Sequence, residues 1–517
     1  MPALLAGGSI ARGSLFSIRG ARLGPASPVR AQNDAPQKEL SGVSILIGAG
    51  PASVRALPLY VSDDHILAFL PADAPLGEKN ITVSHGGQVS PPRTITVVQS
   101  SVGIFGRQVE NAKELPDSLR MVKRPVSSPG KTVSMLVTGL GNATQDTLRI
   151  LVGGKPVQKI ISSQPEGTPG VNRIVFEIPP TAPLGCEVPV LAKAGASWSN
   201  TVSVRLETET QRCPDMDTWI SKSFMARNRS GFVFLLRIAF QVGLKSLGYD
   251  NYVWDLATAG FSKVKDNQAD GVFMLPPRGS CATYTGIVPL GGVLNPRTVP
   301  EIRSSVFNMT VPFALPDNPM LYGGPRIALE GPKGVKNIDH DPKRPDFYVA
   351  DLGGSPPGVR VLESPPLYLD PGRYKVTGLG GGDIGRFSSE VTIPPELVWS
   401  NRGAVLEIQR AKGVTVRWSP KDKDRLITVI AAAVDGVTGA TGLCLCVAPK
   451  GSSSFFIPPE SLANLPVTSG VSQGGSPEAG LILGSLPDRP PEQFRADGLD
   501  SGILIPGMFT GKNVAFR

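Results

Sequence analysis

Apolar residues in this chain recur at every second position far more often than at a helical spacing. The longest case is Phe232, Phe234, Leu236, Ile238, Phe240, Val242 and Leu244, which alternate with residues that include Arg237, Gln241 and Gly243. Period two marks a strand with one buried face, so a long strand is predicted over 232–244, with a possible partner over 253–264. Shorter runs of the same kind occupy 366–369 and 374–377, joined by the turn Asp370-Pro371-Gly372. Further strands are predicted at 397–399, 414–418, 426–429, 443–447 and 455–457, and a short helix opening at Ser461. The Gly-, Pro- and Ser-rich stretch 470–500 reads as an exposed loop or linker, and 502–506 and 513–516 as final edge strands. Many short strands divided by frequent breakers predict an all-β fold.

The pattern repeats. Ile66-Leu67-Ala68-Phe69-Leu70-Pro71-Ala72-Asp73-Ala74-Pro75-Leu76-Gly77 matches Ile174-Val175-Phe176-Glu177-Ile178-Pro179-Pro180-Thr181-Ala182-Pro183-Leu184-Gly185, 108 residues on. Both copies continue with a β-rich run, a glycine turn and a last alternating strand. Upstream, 13–24 matches 130–141. A repeat near 100 residues with strands every 8–12 residues has the size of an immunoglobulin-like sandwich. In each copy the first proline ends a strand because it donates no ladder hydrogen bond. The following Pro–Leu–Gly is expected to turn, with glycine at positive φ and leucine tucked into the sandwich end.

These motifs resemble the IPT/TIG domains, an immunoglobulin-like family. Pro58-Leu59-Tyr60-Val61-Ser62, His65-Ile66 and Val102-Gly103-Ile104-Phe105 add a resemblance to the uncharacterised "Solibacter C-terminal" domain of exported bacterial proteins. The resemblance covers 9–205. It implies tandem sandwiches and export to the cell surface or beyond. The first residues lack a charged segment followed by an apolar core, so the resemblance is reconciled with export by a start upstream of Met1. The domains expected are 1–106 and 107–208, both IPT/TIG-like, then a β-rich 209–395 and a sandwich-like 396–517.

Composition agrees with this picture. The 517 residues include 59 Gly and 50 Pro, and aromatic residues make up 6%. That excludes a coiled coil, and the dense β-branched runs exclude a disordered chain. The net charge of +9 is spread along the sequence, without a basic block interleaved with aromatics, so no nucleic-acid partner is expected. No apolar run reaches the length of a membrane helix.

Candidate chemistry is sparse. Val43 to Ser53 looks like a dinucleotide-binding turn, but Ser53 stands where a third glycine is needed and Pro58 would break the helix. Gly380, Gly382 and Gly385 precede a strand-like stretch rather than a helix. The three histidines, His65, His85 and His340, are far apart, and G-x-S-x-G is absent. Asp339, Asp341, Asp346 and Asp351, or Asp215 with Asp217, are candidate calcium ligands through their carboxylate oxygens, but Lys336, Lys343 and Arg344 crowd the first group and favour a solvated turn. No cofactor, metal or catalytic residue is assigned.

Of the five cysteines, Cys213 and Cys281 flank one segment and form the expected disulfide, closing a loop of about 69 residues worth roughly 4 kcal/mol. Cys444 and Cys446 share one strand face with Cα atoms about 7 Å apart, too far for an easy bridge, and the remaining cysteines are expected as buried thiols. Trp219, Trp254, Trp399 and Trp418 form a candidate platform for sugar stacking. The reading is therefore a non-catalytic exported structural or adhesive protein whose partner is an unknown protein or polysaccharide surface. Two alternatives stand beside it: carbohydrate binding through those tryptophans, and an enzyme with its site within 209–400.

Overall fold

The computed structural model describes residues 9–106, 119, 125–210, 229–244, 249–263, 275–287, 321–340, 347–355, 364–435, 440–469, 478–488 and 492–517. Two compact units divide the chain. Met1–Arg212, Ala282–Val288 and Ala440–Gly442 form one, and Cys213–Cys281, Pro289–Gly439 and Leu443–Arg517 form the other. The architecture is all-β: tandem immunoglobulin-like sandwiches, followed by further sandwiches. Among the described residues no helix is long and apolar enough to cross a membrane.

In the first unit both copies of the repeat follow one strand plan. Ser9–Ala11 runs parallel to Arg93–Val98, and Val126–Ser127 runs parallel to Val202–Leu206. Leu15–Arg19 pairs with His65–Phe69, as Thr132–Thr138 pairs with Val171–Glu177. In the first copy Val54–Val61 crosses between the two sheets, pairing with Val43–Ile47 through 54–56 and with His65–Phe69 through 57–61. Its register shifts between Pro58 and Tyr60, where proline lacks the N–H a continuous ladder would use. Val43–Ile47 and Val54–Val61 thus form a hairpin around a 3-10 turn at Gly50–Ala52, a geometry with no helix to receive a pyrophosphate.

The shared Pro turn closes the same way in both copies. Ala74 N–H donates to Pro71 O at 3.2 Å, and Ala182 N–H to Pro179 O at 2.9 Å. Two details differ from expectation. Gly77 has φ +93°, but Gly185 is not among the positive-φ glycines. Leu76 is 45% exposed, whereas its counterpart Leu184 packs against the core of the second sandwich as expected, and Ala74 and Ala182 are buried beside these turns. The small alanines fit where each turn folds back on the core.

The second unit is built on two long central strands. Arg229–Leu244 pairs antiparallel with Tyr249–Lys263 and parallel with Ser501–Asn513. These belong to a sheet of 13 described strands. One core gathers Phe261, Tyr348, Tyr374 and Phe387, with Phe494 stacked on Phe387 at 4.4 Å. A second core gathers Trp399, Trp418, Val429, Leu481 and Phe516.

The fold departs from the sequence expectations at three places. Ala479–Pro487 lies within the stretch read as a linker, yet it is a central strand between Arg425–Val434 and Ser501–Asn513. Its local run Gly480 to Leu486 is apolar, and the flanking Gly, Pro and Ser masked that signal. Ser501–Asn513 is likewise central rather than an edge. Pro506 is tolerated there because it falls between the partners Glu492–Phe494, which reach Leu504, and Ala479–Pro487, which begin at Met508. Finally, 366–369 is no strand. Gly372–Gly378 pairs with Phe387–Ile393 and Arg326–Gly331 instead. Asp370-Pro371-Gly372 makes a tyrosine corner, in which the Tyr374 hydroxyl sits 2.9 Å from the carbonyls of Tyr368 and Asp370.

Candidate functional site

The four tryptophans do not assemble into one exposed platform. Trp399 and Trp418 face each other across paired strands and are 4% and 2% exposed. Their indole N–H groups are satisfied inside, Trp399 donating to Asn401 Oδ1 at 2.9 Å and Trp418 to Ser452 O at 3.0 Å. Both are core residues, because alternation places them on the buried face of a short sandwich strand. Trp254 is half-buried on Tyr249–Lys263, and its Nε1–H donates to Asp351 Oδ1 at 3.1 Å. Trp219 lies outside the described residues.

Asp255, the next residue along, anchors a buried charged cluster in the second unit. It stands in register opposite Arg237 across the two long strands. The pair is bidentate, with Arg237 Nε to Asp255 Oδ1 at 2.8 Å and Nη2 to Oδ2 at 2.9 Å. The side chains are 0% and 12% exposed for Asp255 and Arg237. Oδ2 also accepts the backbone N–H groups of Tyr368 and Leu369, each at 2.7 Å. Every strong bond that could offset desolvation of the carboxylate is made, as a buried ion pair requires. The hydrogen bond to Asp255 holds Arg237 above the ordinary guanidinium range, against the opposing pull of burial.

Asp370 adds an outer layer. Lys333 Nζ lies 2.7 Å from its Oδ2 and Arg237 Nη2 lies 3.6 Å from its Oδ1. The Lys333 hydrogen bond, more than the two nearby positive charges, holds its carboxyl below the usual range. The cluster ties the tyrosine corner to the long strands, and its donors and acceptors point at one another. The sequence offered one signal for it: Arg237 lies on the strand face opposite the alternating apolar residues, a face that Val233, Leu235 and Ala239 also bury, and a buried strand arginine needs an acid directly opposite.

The cysteines pair differently from expectation. Cys281 is bonded to Cys446, 165 residues on. One sulfur forms one disulfide, so Cys281 is not available to Cys213, which lies outside the described residues. Ser280–Ile287 and Ala440–Val447 are neighbours in the sheet, which brings two distant residues side by side. Cys186 is disulfide-bonded too, rather than a buried thiol. Cys444 carries a thiol 3.7 Å from the Cys446 sulfur, and the three sulfurs of Cys281, Cys444 and Cys446 lie within 4.8 Å of one another. Of the candidate calcium ligands, Asp339 sits 3.8 Å from Arg326 and Asp351 accepts from Trp254. Asp215, Asp217, Asp341 and Asp346 lie outside the described residues.

No family model matches the sequence, and no curated protein does. Among solved structures the chain is similar to SGBP-B of the Bacteroides ovatus mixed-linkage glucan utilization locus, solved with a mixed-linkage heptasaccharide. Identity is 10%, over 88% of this chain and 89% of that one, with a TM-score of 0.14. The I9–I11 tandem of titin matches at 8% identity over 75% of this chain and 95% of that one, TM-score 0.13. The Yersinia pseudotuberculosis adhesin InvE matches at 16% identity over 41% and 59%, TM-score 0.13. Likenesses at these scores assign no family, ligand or activity.

Proposed function

We propose that this chain is a non-catalytic, exported protein of the cell surface or its surroundings, built to present or anchor rather than to transform a substrate. The observation that carries the reading is oxidised sulfur. The Cys281–Cys446 disulfide and the disulfide at Cys186 belong to an oxidising compartment, since cytosolic reductants keep most thiols reduced. The resemblance of 9–205 to IPT/TIG domains and to the "Solibacter C-terminal" tandem supports the same destination. We take 1–106 and 107–208 as those two domains. For 209–517 we propose two lobes sharing the strand Ser501–Asn513, with the boundary near 395. Labelling intact producing cells with an antibody to the chain tests the reading. Signal without permeabilisation, or the chain in the envelope fraction or the medium, supports it, and a chain confined to the cytosol overturns it.

A second reading, polysaccharide binding, rests on Trp254, the one partly exposed tryptophan among the four that lies in the described residues. Its indole is fixed edge-on by Asp351, which leaves a ring held in one orientation for stacking. Loss of retention on an insoluble glucan in Trp254→Ala would support it. Equal retention of the two proteins would end it.

A further inference from the structure

Of the five tryptophans, Trp198 alone lies in the first unit. It belongs to a hairpin in which Gly185–Ala194 turns through Gly195 and Ala196 into Ser197–Trp198. Ser199 N–H donates to Ala192 O at 2.8 Å, and Ala192 N–H to Ser199 Oγ at 2.9 Å. Lys193 and Trp198 are the next pair along, without mutual hydrogen bonds, where facing side chains stand closest. The Lys193 ammonium sits over the indole, 5.6 Å from the ring centroid.

On its other side Lys193 stands in register with Arg149, the first residue of Arg149–Val152. Side chains that share a register position share a face, so Arg149, Lys193 and Trp198 form one row across three neighbouring strands. Ile150 and Ala192, the next cross-strand pair, are in the core of the second sandwich, and the row therefore points outward. Arg149 is exposed, and Lys193 and Trp198 are half-buried.

The row is unfavourable by itself. Two cations directly opposite each other, with Cβ atoms about 5 Å apart, repel. Among the described residues neither meets a carboxylate. Trp198 also differs from the tryptophans of the second unit. The indole N–H groups of Trp254, Trp399 and Trp418 each donate to an oxygen of the chain, whereas among the described residues that of Trp198 has no acceptor.

We propose that the row of Arg149, Lys193 and Trp198 binds an acidic polysaccharide, one whose sugars carry carboxylates. Arg149 and Lys193 meet the carboxylate, which relieves their mutual repulsion. The indole surface turned away from Lys193 packs on the C–H face of a sugar ring, and its N–H donates to a sugar oxygen. An acidic protein segment would engage the two cations. The rigid ring and the donor beside them match a sugar, which presents C–H and hydroxyl groups together. The site goes beyond the glucan reading of Trp254 and depends neither on that residue nor on export.

The test is calorimetric titration of the full chain, at about 0.15 M salt, with polygalacturonate, alginate and hyaluronan, each also as its methyl ester. At least one acidic polymer is expected to bind, and esterification, which removes the charge and keeps the sugar, to weaken it at least about tenfold. Trp198→Ala weakens binding about tenfold. Arg149→Glu abolishes it and leaves the denaturant midpoint unchanged or higher, because it sets an acid opposite Lys193. A net charge of +9 attracts polyanions to the whole surface. Arg55→Glu, the same charge change at another exposed arginine, is the control and keeps the affinity within about twofold. Trp254→Ala leaves it unchanged. The proposal is overturned by no binding to any of the three polymers, by equal binding of their esters, by equal losses in Arg149→Glu and Arg55→Glu, or by unaltered binding in Trp198→Ala. Polyglutamate bound as tightly as the polysaccharide would assign the row to an acidic protein and overturn it too.

Discussion

Asp255 illustrates what one residue carries here. Its carboxylate is fully buried and accepts four hydrogen bonds, two from Arg237 and two from backbone amides. Removing it strands a guanidinium that is only 12% exposed, together with two N–H groups. Asp255→Ala should therefore cost about 3–5 kcal/mol in denaturant unfolding, whereas truncating Glu390, which pairs with Arg373 at 3.2 Å on the exposed surface, should cost under about 1 kcal/mol. The tyrosines make a second prediction. Burial pushes Tyr348 up to about 12 and raises Tyr368 and Tyr374 as well. A raised phenol favours folding below its unfolded value near 10 and loses that contribution as pH rises through the folded value. Phenolate absorbance should thus show these three groups still un-ionised above about pH 10, the ordinary phenol value, and alkaline unfolding should release them together.

At the acid end the sign reverses. Asp370 is held low by the Lys333 hydrogen bond and Glu166 by the one from Arg173. Each stabilises above its unfolded value, and the benefit is lost as pH falls through the lower folded one, so Tm should drop below about pH 4 and Asp370→Asn should flatten that drop. Little of this residue chemistry could be read from sequence. Period-two alternation shows that Trp399 and Trp418 occupy strand faces. It does not show that theirs is the buried face, and Asp255 had no local mark at all until register placed it opposite Arg237.

Strands and their staples behave more predictably. The long strand at 229–244 and its neighbour were legible because alternation over many residues leaves no helical alternative, and the repeat at 108 residues fixed a common turn plan. The failures share a cause. Composition averaged over 470–500 hid the strand Ala479–Pro487, and the turn residues at 370–372 suggested a hairpin where the chain instead bends into a tyrosine corner. Disulfide pairing was illegible because it depends on which strands become neighbours. The bond between Ser280–Ile287 and Ala440–Val447 closes a separation of 165 residues, for which loop entropy gives at most about 5 kcal/mol. Cys281→Ser and Cys446→Ser should each lower stability by a large part of that. Dithiothreitol should destabilise the unaltered chain by at least as much, because it also opens the bond at Cys186. Denaturant midpoints with and without the reductant check this.

For the whole molecule, part of the glycine and proline excess now has a place: Pro71, Pro179 and Gly77 mark strand ends in the sandwiches, while Pro58, Pro506, Gly484 and Gly507 lie within strands. In the second unit, strands of 16 and 15 residues run through the central sheet, and the 13-residue Ser501–Asn513 contributes Leu504 and Met508 to one core and leads directly into Val514 and Phe516 of the other. Such a body suits bearing and presenting, and its sulfur chemistry suits an oxidising compartment. The most direct measurement is a non-reducing peptide map of the protein recovered from fractionated producing cells, with thiols blocked at lysis. The chain is expected in the envelope or the medium, with Cys281 and Cys446 linked. Recovery from the cytosol with both cysteines alkylated would contradict it.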